Sequence, residues 1–358
     1  MRIALIGSVT TKIPPDGQAA IERLAYQQAL GLANRGHSIL LLALKGSRVD
    51  HPNVKIIEVG SGETRSGSGA EGNPPAGGNE ELYGIAYKFR LEVTNLAEAM
   101  MALRKYRDDY DIILNNLRLE APVVPLVQQI GKPIYQVLHM PIFPTLAAFF
   151  KNYNVRLISI SNAQRADFPD LNYVGTVYNA VDTTEFGFCA HPQDYVLYLG
   201  SIGANKNPKD ALLAAKEAGV QIKIGGRIKD QTYYDREIAP HIDGTQVQWV
   251  GEKHPKEVIA LYQNACAFLF PTIWNEPFGL VAIEALSCGT PVIAYPHGAL
   301  PEIIDDGVNG YLVNSVGQMA TKIKGVGAIK REMCRQTVEQ KFTVAKMIAG
   351  YEKILSQK

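Results

Sequence analysis

No apolar run in this 358-residue chain approaches the ~18 residues needed to cross a bilayer. The longest, such as ILLLAL at 39–44, have the length of a strand. A signal peptide is not expected either, because Met1-Arg2 leads directly into the apolar run IALIG. Net charge is nearly absent: 36 basic side chains against 35 acidic ones leave +1, so no global field draws in nucleic acid or anionic lipid. Cysteine is scarce too. Cys189, Cys266, Cys288 and Cys334 stand far apart in sequence and form no CxxC pair, so buried thiols in a reducing compartment are expected rather than a disulfide or metal site. These absences leave a globular protein, expected in the cytoplasm, and long enough for two domains.

Alternating apolar strands and amphipathic helices fill most of the chain. RIALIG (2–7) reads as a buried strand, followed by a helix with Ile21, Leu24, Ala25 and Leu32 on one face and Gly36 as its cap. SILLLAL (38–44), KIIEVG (55–60), DIILNN (111–116), PIYQVLH (133–139) and RLISIS (156–161) continue the strands, with helices expected over 84–105 and 120–130. Continuous apolar strands mark a parallel sheet covered on both faces. Residues 60–79, GSGETRSGSGAEGNPPAGGN, carry no apolar anchor and read as a long loop. Patterning lapses over 180–194 and then restarts. YVLYLGSI (195–202), VQIKIGG (220–226), VQWVG (247–251), ACAFLFP (265–271), TPVIAY (290–295) and GYLV (310–313) are strands of a second α/β domain, with a helix over 209–219. The expected fold class is therefore α/β, with two Rossmann-like doubly wound domains about a cleft. Neither domain has G-x-G-x-x-G after its first strand, which argues against a dinucleotide-dependent dehydrogenase.

The stretch NEPFGLVAIEALSCGTPVIA, from Asn275, holds two glutamates eight positions apart, Glu276 and Glu284. The preceding strand and loop lead to a helix expected over 278–288, with Pro277 suited to its start and Gly289 to its end. Helix-start amides at Phe278, Gly279 and Leu280 would form an anion site suited to a phosphate or diphosphate, with Gly279 admitting close approach. Glu276 lies just before those amides. Glu284, one to two turns into the helix, suits a pair of hydroxyls such as a ribose. A capping role for Glu276 and an incidental position for Glu284 would account for these two residues taken alone.

Further motifs decide between these readings. Glu276…Glu284 followed by LSCGTPVIAYPHGALPEIIDDGVNGYLV (286–313) resembles the E-x7-E signature of GT-B-fold retaining glycosyltransferases of family 4, the glycosyl transferases of group 1. YVLYLGSIGANKNPKDALLAA, YNAVDTTEF, VLH at 137–139 and the opening RIALIG…RGHSILLLAL fit the same family in the same order. The resemblance covers nearly the whole chain apart from the 60–79 loop. It implies an N-terminal acceptor-side domain at 1–182, completed by a crossover helix at 343–358, and a nucleotide-sugar domain at 183–342.

It also implies roles: Glu276 at the donor sugar, Glu284 at the ribose, Lys206 on the donor phosphates and His139 facing the donor sugar. The family usually pairs the lysine with an arginine, but the matching residue is Ser201, so Arg227 is the candidate replacement. The glycine pair before the first-domain helix glutamate is reduced to Gly17, in Gly17-Gln18-Ala19-Ala20-Ile21-Glu22. Base contacts are expected from the main chain near Gly251–Lys253, with Lys253 in the donor site. The resemblance implies a retaining, metal-independent hexosyltransferase that uses a nucleoside diphosphate sugar, with UDP-sugars favoured, and needs no cofactor. The expected mechanism is front-side displacement in which the leaving phosphate helps deprotonate the acceptor hydroxyl. The D-x-D of Asp109-Tyr110-Asp111 reads as a turn before a strand, not a metal site. Arg104-Lys105-Tyr106-Arg107 is followed by acids, so membrane association is not indicated. A nucleotide-sugar 2-epimerase of the same fold and a non-turning-over nucleotide-sugar-binding partner subunit are the rival readings. The acceptor is not encoded in these motifs.

Overall fold

Strand β1 (Arg2–Ile6) takes a central place because Ile3, Ala4, Leu5 and Ile6 are fully buried. It pairs in parallel with β2 (Ser38–Leu44) on one side. On the other it pairs with β4 (Ile112–Asn115), while β3 (Val54–Val59) lies outside β2. The sheet continues through β5 (Ile134–Val137), β6 (Arg156–Ser159) and β7 (Tyr173–Thr176), in the order β3-β2-β1-β4-β5-β6-β7. Helices α1 (Ala20–Asn34), α2 (Glu80–Lys105), α3 (Val123–Ile130) and α4 (Pro144–Asn152) join its strands. The structure, a computed structural model, describes residues 1–17, 19–62 and 80–357, with side chains in α2 from Phe89 onward.

A second parallel sheet follows in the order β10-β9-β8-β11-β12-β13. Its strands are β8 (Tyr195–Leu199), β9 (Gln221–Gly225), β10 (Val247–Gly251), β11 (Ala267–Phe270), β12 (Val292–Ala294) and β13 (Gly310–Leu312). The helices are α5 (Pro208–Ala218), α6 (Gln231–Glu237), α7 (Pro255–Asn264), α8 (Leu280–Ser287), α9 (Leu300–Ile303), α10 (Val316–Lys324), α11 (Arg331–Lys341) and α12 (Val344–Leu355). The α/β class with two Rossmann-like parallel sheets is thus as the sequence predicts. Two units divide the chain. Met1–Ser159, Phe168–Thr176 and Ile348–Lys358 form the first, and Ile160–Asp167 with Val177–Met347 form the second. The second unit therefore takes in residues upstream of the boundary expected at 183.

Elements β7 and α4 are additions to the sequence reading. The helix expected from 84 begins at Glu80. Of the expected 60–79 loop, Gly60 to Gly62 are described, and residues 63–79 lie outside the described residues. The backbone N–H of Gly60 donates to Glu98 Oε2 at 2.7 Å. Both carboxylates of the D-x-D turn are engaged, Asp109 by Lys55 at 3.4 Å and Asp111 by Arg2 at 2.5 Å. Between them Tyr110 is buried, its hydroxyl donating to Leu103 O at 2.9 Å. No helix among the described residues is long and apolar enough to cross a membrane.

The last helix belongs to the first unit from Ile348 onward. Glycines form its seats: a Cβ on Gly31 would lie 2.5 Å from Ile348, and one on Gly175 2.4 Å from Ile354. Glu352 is held by Arg35 and by His37 Nε2, the latter at 2.8 Å.

The cysteines are far apart in sequence but gather in the second unit, where all four lie within electrostatic reach of Arg331. They are free thiols, and burial pushes Cys288 and Cys334 up to about 12, which leaves them unreactive. Arg331 is buried, and among the described residues no carboxylate forms an ion pair with it. Its guanidinium donates instead to the carbonyls of Cys189, Gln263, Ala265 and Cys288 and to Thr290 Oγ1, at 2.7 to 3.3 Å. One side chain thereby satisfies the carbonyl ends of several loops. Arg331→Met is expected to leave those buried acceptors without donors and to lower the unfolding free energy by about 3 kcal/mol, read from urea melts.

Candidate active site

In each sheet the strand order runs outward one way and then the other, and loops at such a reversal splay apart into a binding crevice. In the second unit the reversal falls between β8 and β11. The loop after β8 carries Ser201 and Lys206, and the loop after β11 carries Trp274 and Glu276. The two loops are stitched together: Thr272 Oγ1 donates to Asn205 O at 3.2 Å and Ile273 N to the same oxygen at 3.1 Å. Sequence positions 70 apart are thereby brought into contact, and Lys206 Nζ donates to Glu276 Oε2 in a short ion pair. Both side chains are largely buried, at 18% and 14% exposed. Trp274 Nε1–H donates to the same oxygen at 2.7 Å, and the lysine ammonium stands 4.8 Å from the centroid of the Trp274 ring. A buried ion pair survives where extra hydrogen bonds and aromatic faces replace the lost water.

Behind Glu276 the backbone is equally constrained. Ala299 N donates to Glu276 O at 2.9 Å. Gly298 has φ +61, and a Cβ there would lie 2.2 Å from Glu276 O. Only glycine fits that crossing. Below the site, burial and then the charges of Tyr233 and Glu276 hold the Tyr198 phenol far above its ordinary range. It stays a neutral donor, to Ser201 O at 3.1 Å.

Helix α8 begins at Leu280, two residues later than the sequence reading has it. Gly279, at φ +106, is its N-cap, so the helix-start amides are those of Leu280 and Val281 rather than Phe278. Pro277 is not the first helical residue; its carbonyl accepts from Ser161 Oγ at 2.7 Å. Phe278 is a core residue, its ring centroid 6.0 Å from that of Tyr178 and 5.8 Å from that of Phe342. The sequence reading puts Phe278 in the helix because Pro277 carries a start signal, but the left-handed Gly279 delays the helix by two residues.

Glu284 is the fifth residue of α8, and its Oε2 accepts from Tyr262 OH at 3.2 Å. Burial, together with the Glu284 charge, keeps Tyr262 protonated. Ser201 is half-buried beside Tyr198. Arg227 is exposed in the loop after β9, where its carbonyl accepts from Ile202 N at 2.9 Å. Lys253, two strands from the reversal, pairs with Glu257 at 3.1 Å. Trp274, Tyr262 and Gly298 are the residues sequence reasoning missed. Trp274 stands two positions from Glu276 and was within reach of inspection, whereas Tyr262 and Gly298 have no local signal.

Two further candidates lie in the first unit. Gly17 is exposed, and a Cβ there would meet nothing within 4 Å. His139, expected to face the donor sugar, is buried, with Nε2 donating to Asn116 Oδ1 at 3.0 Å. Burial, and secondarily the Arg118 charge, lowers its pKa to about 3, so the ring is neutral. It can serve as a hydrogen-bonding group but not as a standing cation.

Residues 188–341 match the family model for Glycosyl transferases group 1. This segment is a group 1 glycosyl transferase domain. It contains the Lys206–Glu276 pair, Trp274, Glu284 and Gly298. Over 180 residues the chain is 30% identical to D-inositol 3-phosphate glycosyltransferase of Mycolicibacterium smegmatis, covering 46% of this chain and 41% of that one. The chain spans about half the length of the curated relatives it matches, 41% to 53% among the first three. Two solved structures align along the full chain. A glycosyltransferase of Rickettsia africae superposes with TM-score 0.73 at 17% identity, covering 100% of this chain and 99% of that one. Anabaena HepE in complex with UDP and glucose superposes with TM-score 0.73 at 17% identity, covering 100% of both. The fold is GT-B.

Within the group 1 domain, Gly298→Ala is expected to cost about 1–3 kcal/mol and to displace Glu276, seen as a lowered melting temperature and lost quenching contact at Trp274. His139 sets a pH dependence. The unfolded chain takes up a proton near pH 6.5 and the folded one only near 3. The unfolded state therefore binds more protons in that window, and stability falls as pH falls through it. Comparing urea melts of wild type and His139→Gln above and below pH 6.5 should show a shallower fall in the variant.

Proposed function

We propose that the protein is a retaining glycosyltransferase that moves a hexosyl group from a UDP-sugar to an acceptor hydroxyl. The observation that carries this reading is the Lys206–Glu276–Trp274 cluster at the strand-order reversal, next to the free amides that open α8. A diphosphate presents anionic oxygens that would compete for Lys206 and accept from the Leu280 and Val281 amides. Charge that grows on the leaving diphosphate is then met by a cation and by fixed dipoles, and no metal is needed for that task. Glu276, held by Trp274, orients the sugar and offsets positive charge that develops on its ring. Glu284, held by Tyr262, accepts from the ribose hydroxyls. Ser201 and Arg227 are assigned to the outer phosphate oxygens, and Lys253 to the base end of the nucleotide.

No side chain in the cluster is assigned as a covalent nucleophile. Both donors to Glu276 converge on Oε2, which fits an electrostatic role better than attack. The reaction is proposed to run by front-side displacement: the acceptor oxygen bonds to the anomeric carbon as the bond to the diphosphate breaks, and the acceptor proton passes to a leaving phosphate oxygen. The binding of UDP and glucose by the Anabaena structure supports the choice of donor.

The test is thermal stabilisation by UDP, GDP and ADP. Selective binding of UDP raises the melting temperature by linkage, by an amount that corresponds to about 2.7 kcal/mol at a hundredfold excess over Kd. Glu284→Ala and Tyr262→Phe should reduce that response, and Glu276→Ala should keep most of it while abolishing turnover of UDP-glucose. If no nucleotide stabilises the wild-type protein, the proposal is wrong.

A further inference from the structure

The backbone from Glu276 to Gly279 sets how far the Glu276 carboxylate stands from the amides of Leu280 and Val281. Helix α9 and the residue before it grip one side of that stretch. Ala299 N donates to Glu276 O at 2.9 Å, and a Cβ on Gly279 would lie 3.1 Å from Leu300 and 3.7 Å from Ile303. The other side is held by a segment distant in sequence. Ser161, fully buried, donates through Oγ to Pro277 O at 2.7 Å. The same oxygen accepts from Gln164 N at 3.1 Å, which leaves the hydroxyl proton for Pro277.

One side chain joins the two grips. Glu302 lies in α9, and its Oε1 accepts from Ala163 N at 2.7 Å. Its Oε2 accepts from Asn162 N at 2.9 Å, from Asn162 Nδ2 at 3.0 Å and from Tyr178 OH at 2.8 Å. Those backbone amides open the short turn Ala163–Arg165 directly after Ser161. The carboxylate thus satisfies the turn's unpaired donors and fixes the direction from which Ser161 reaches Pro277. Tyr178 completes the clasp, its ring 6.0 Å from that of Phe278 while its hydroxyl serves Glu302. Burial and then the Glu302 carboxylate push this phenol up to about 12, so it remains a donor. All of these residues belong to the second unit.

We propose that Glu302 is a positioning residue for sugar transfer: through Asn162, Ala163 and Ser161 it holds Pro277 so that the Glu276 carboxylate and the α8 amides keep the spacing that a bound nucleoside diphosphate sugar spans. Among the described residues Ser161 is the donor to Pro277 O, and a buried carbonyl that loses its donor drives the backbone to find another. A displacement of about 1 Å in a reacting geometry costs on the order of a hundredfold in rate. Glu302 touches neither sugar nor phosphate in this scheme; it acts through Pro277. The catalytic role rests on the transferase reading, whereas the clasp itself does not.

The chain has two tryptophans, and they make the geometry observable. Trp274 donates to Glu276 Oε2, whereas Trp249 lies in β10 at the edge of its sheet. In protein labelled with nitrogen-15 at tryptophan, the Trp274 indole signal is identified by its loss in Trp274→Phe. Ser161→Ala, Glu302→Gln and Tyr178→Phe are expected to move that signal and leave Trp249 in place. They should also lower UDP-glucose turnover roughly tenfold or more, while the melting-temperature response to UDP stays within about twofold. Tyr178→Phe keeps the ring against Phe278 and, with Ser161→Ala, carries the test if Glu302→Gln fails to fold. An unmoved Trp274 signal in the folded variants, or Trp274 and Trp249 moving together, overturns the proposal. So does a moved Trp274 signal with unchanged turnover. A wild-type protein with no UDP response would instead sink the transferase reading and the catalytic role with it, while a moved Trp274 signal left the clasp standing.

Discussion

Each sheet reverses its strand order once, between β1 and β4 in one unit and between β8 and β11 in the other. At such a point neighbouring crossover connections leave in opposite directions, and no helix closes the gap between the two loops. At the reversal between β8 and β11, Lys206, Trp274 and Glu276 meet. The rest of each sheet, exemplified by the fully buried Ile3–Ile6 and by Val196 and Leu197, exists to hold the reversal in register.

The two reversals differ in how they settle charge. In the second unit the carboxylate of Glu276 has a cation, an indole donor and a backbone locked by Gly298. In the first unit Glu22 and Glu120 are buried, and among the described residues Glu22 Oε2 receives no hydrogen bond.

Much of this was legible in the sequence, for identifiable reasons. Continuous apolar strands and their helical punctuation encode a parallel α/β fold locally, and the motif around Glu276 and Glu284 encodes the domain family. What the sequence misplaced was decided by nonlocal contact or by a single dihedral. Phe278 was assigned to the helix start because Pro277 precedes it, but the left-handed Gly279 delays the helix by two residues. His139 sits where a strand ends, and only the packed structure shows that Asn116 has claimed it. The convergence of four cysteines on Arg331 has no trace in their spacing, because the loops that carry them meet only in three dimensions. Tyr262 escaped notice for the same reason.

The seats that Gly31 and Gly175 make for Ile348 and Ile354 have a consequence for the order in which the protein can be finished. Those isoleucines follow the second unit in the chain, yet Gly31 and Gly175, whose surface they cover, precede nearly all of it. Until they arrive, α1 and β7 expose apolar ground, and Arg35 and His37 wait for Glu352. The first unit is therefore completed only after nearly all of the second unit has been synthesised. A nascent chain halted short of Ile348 would hold a sheet with all its strands and an uncovered flank, a natural foothold for a chaperone.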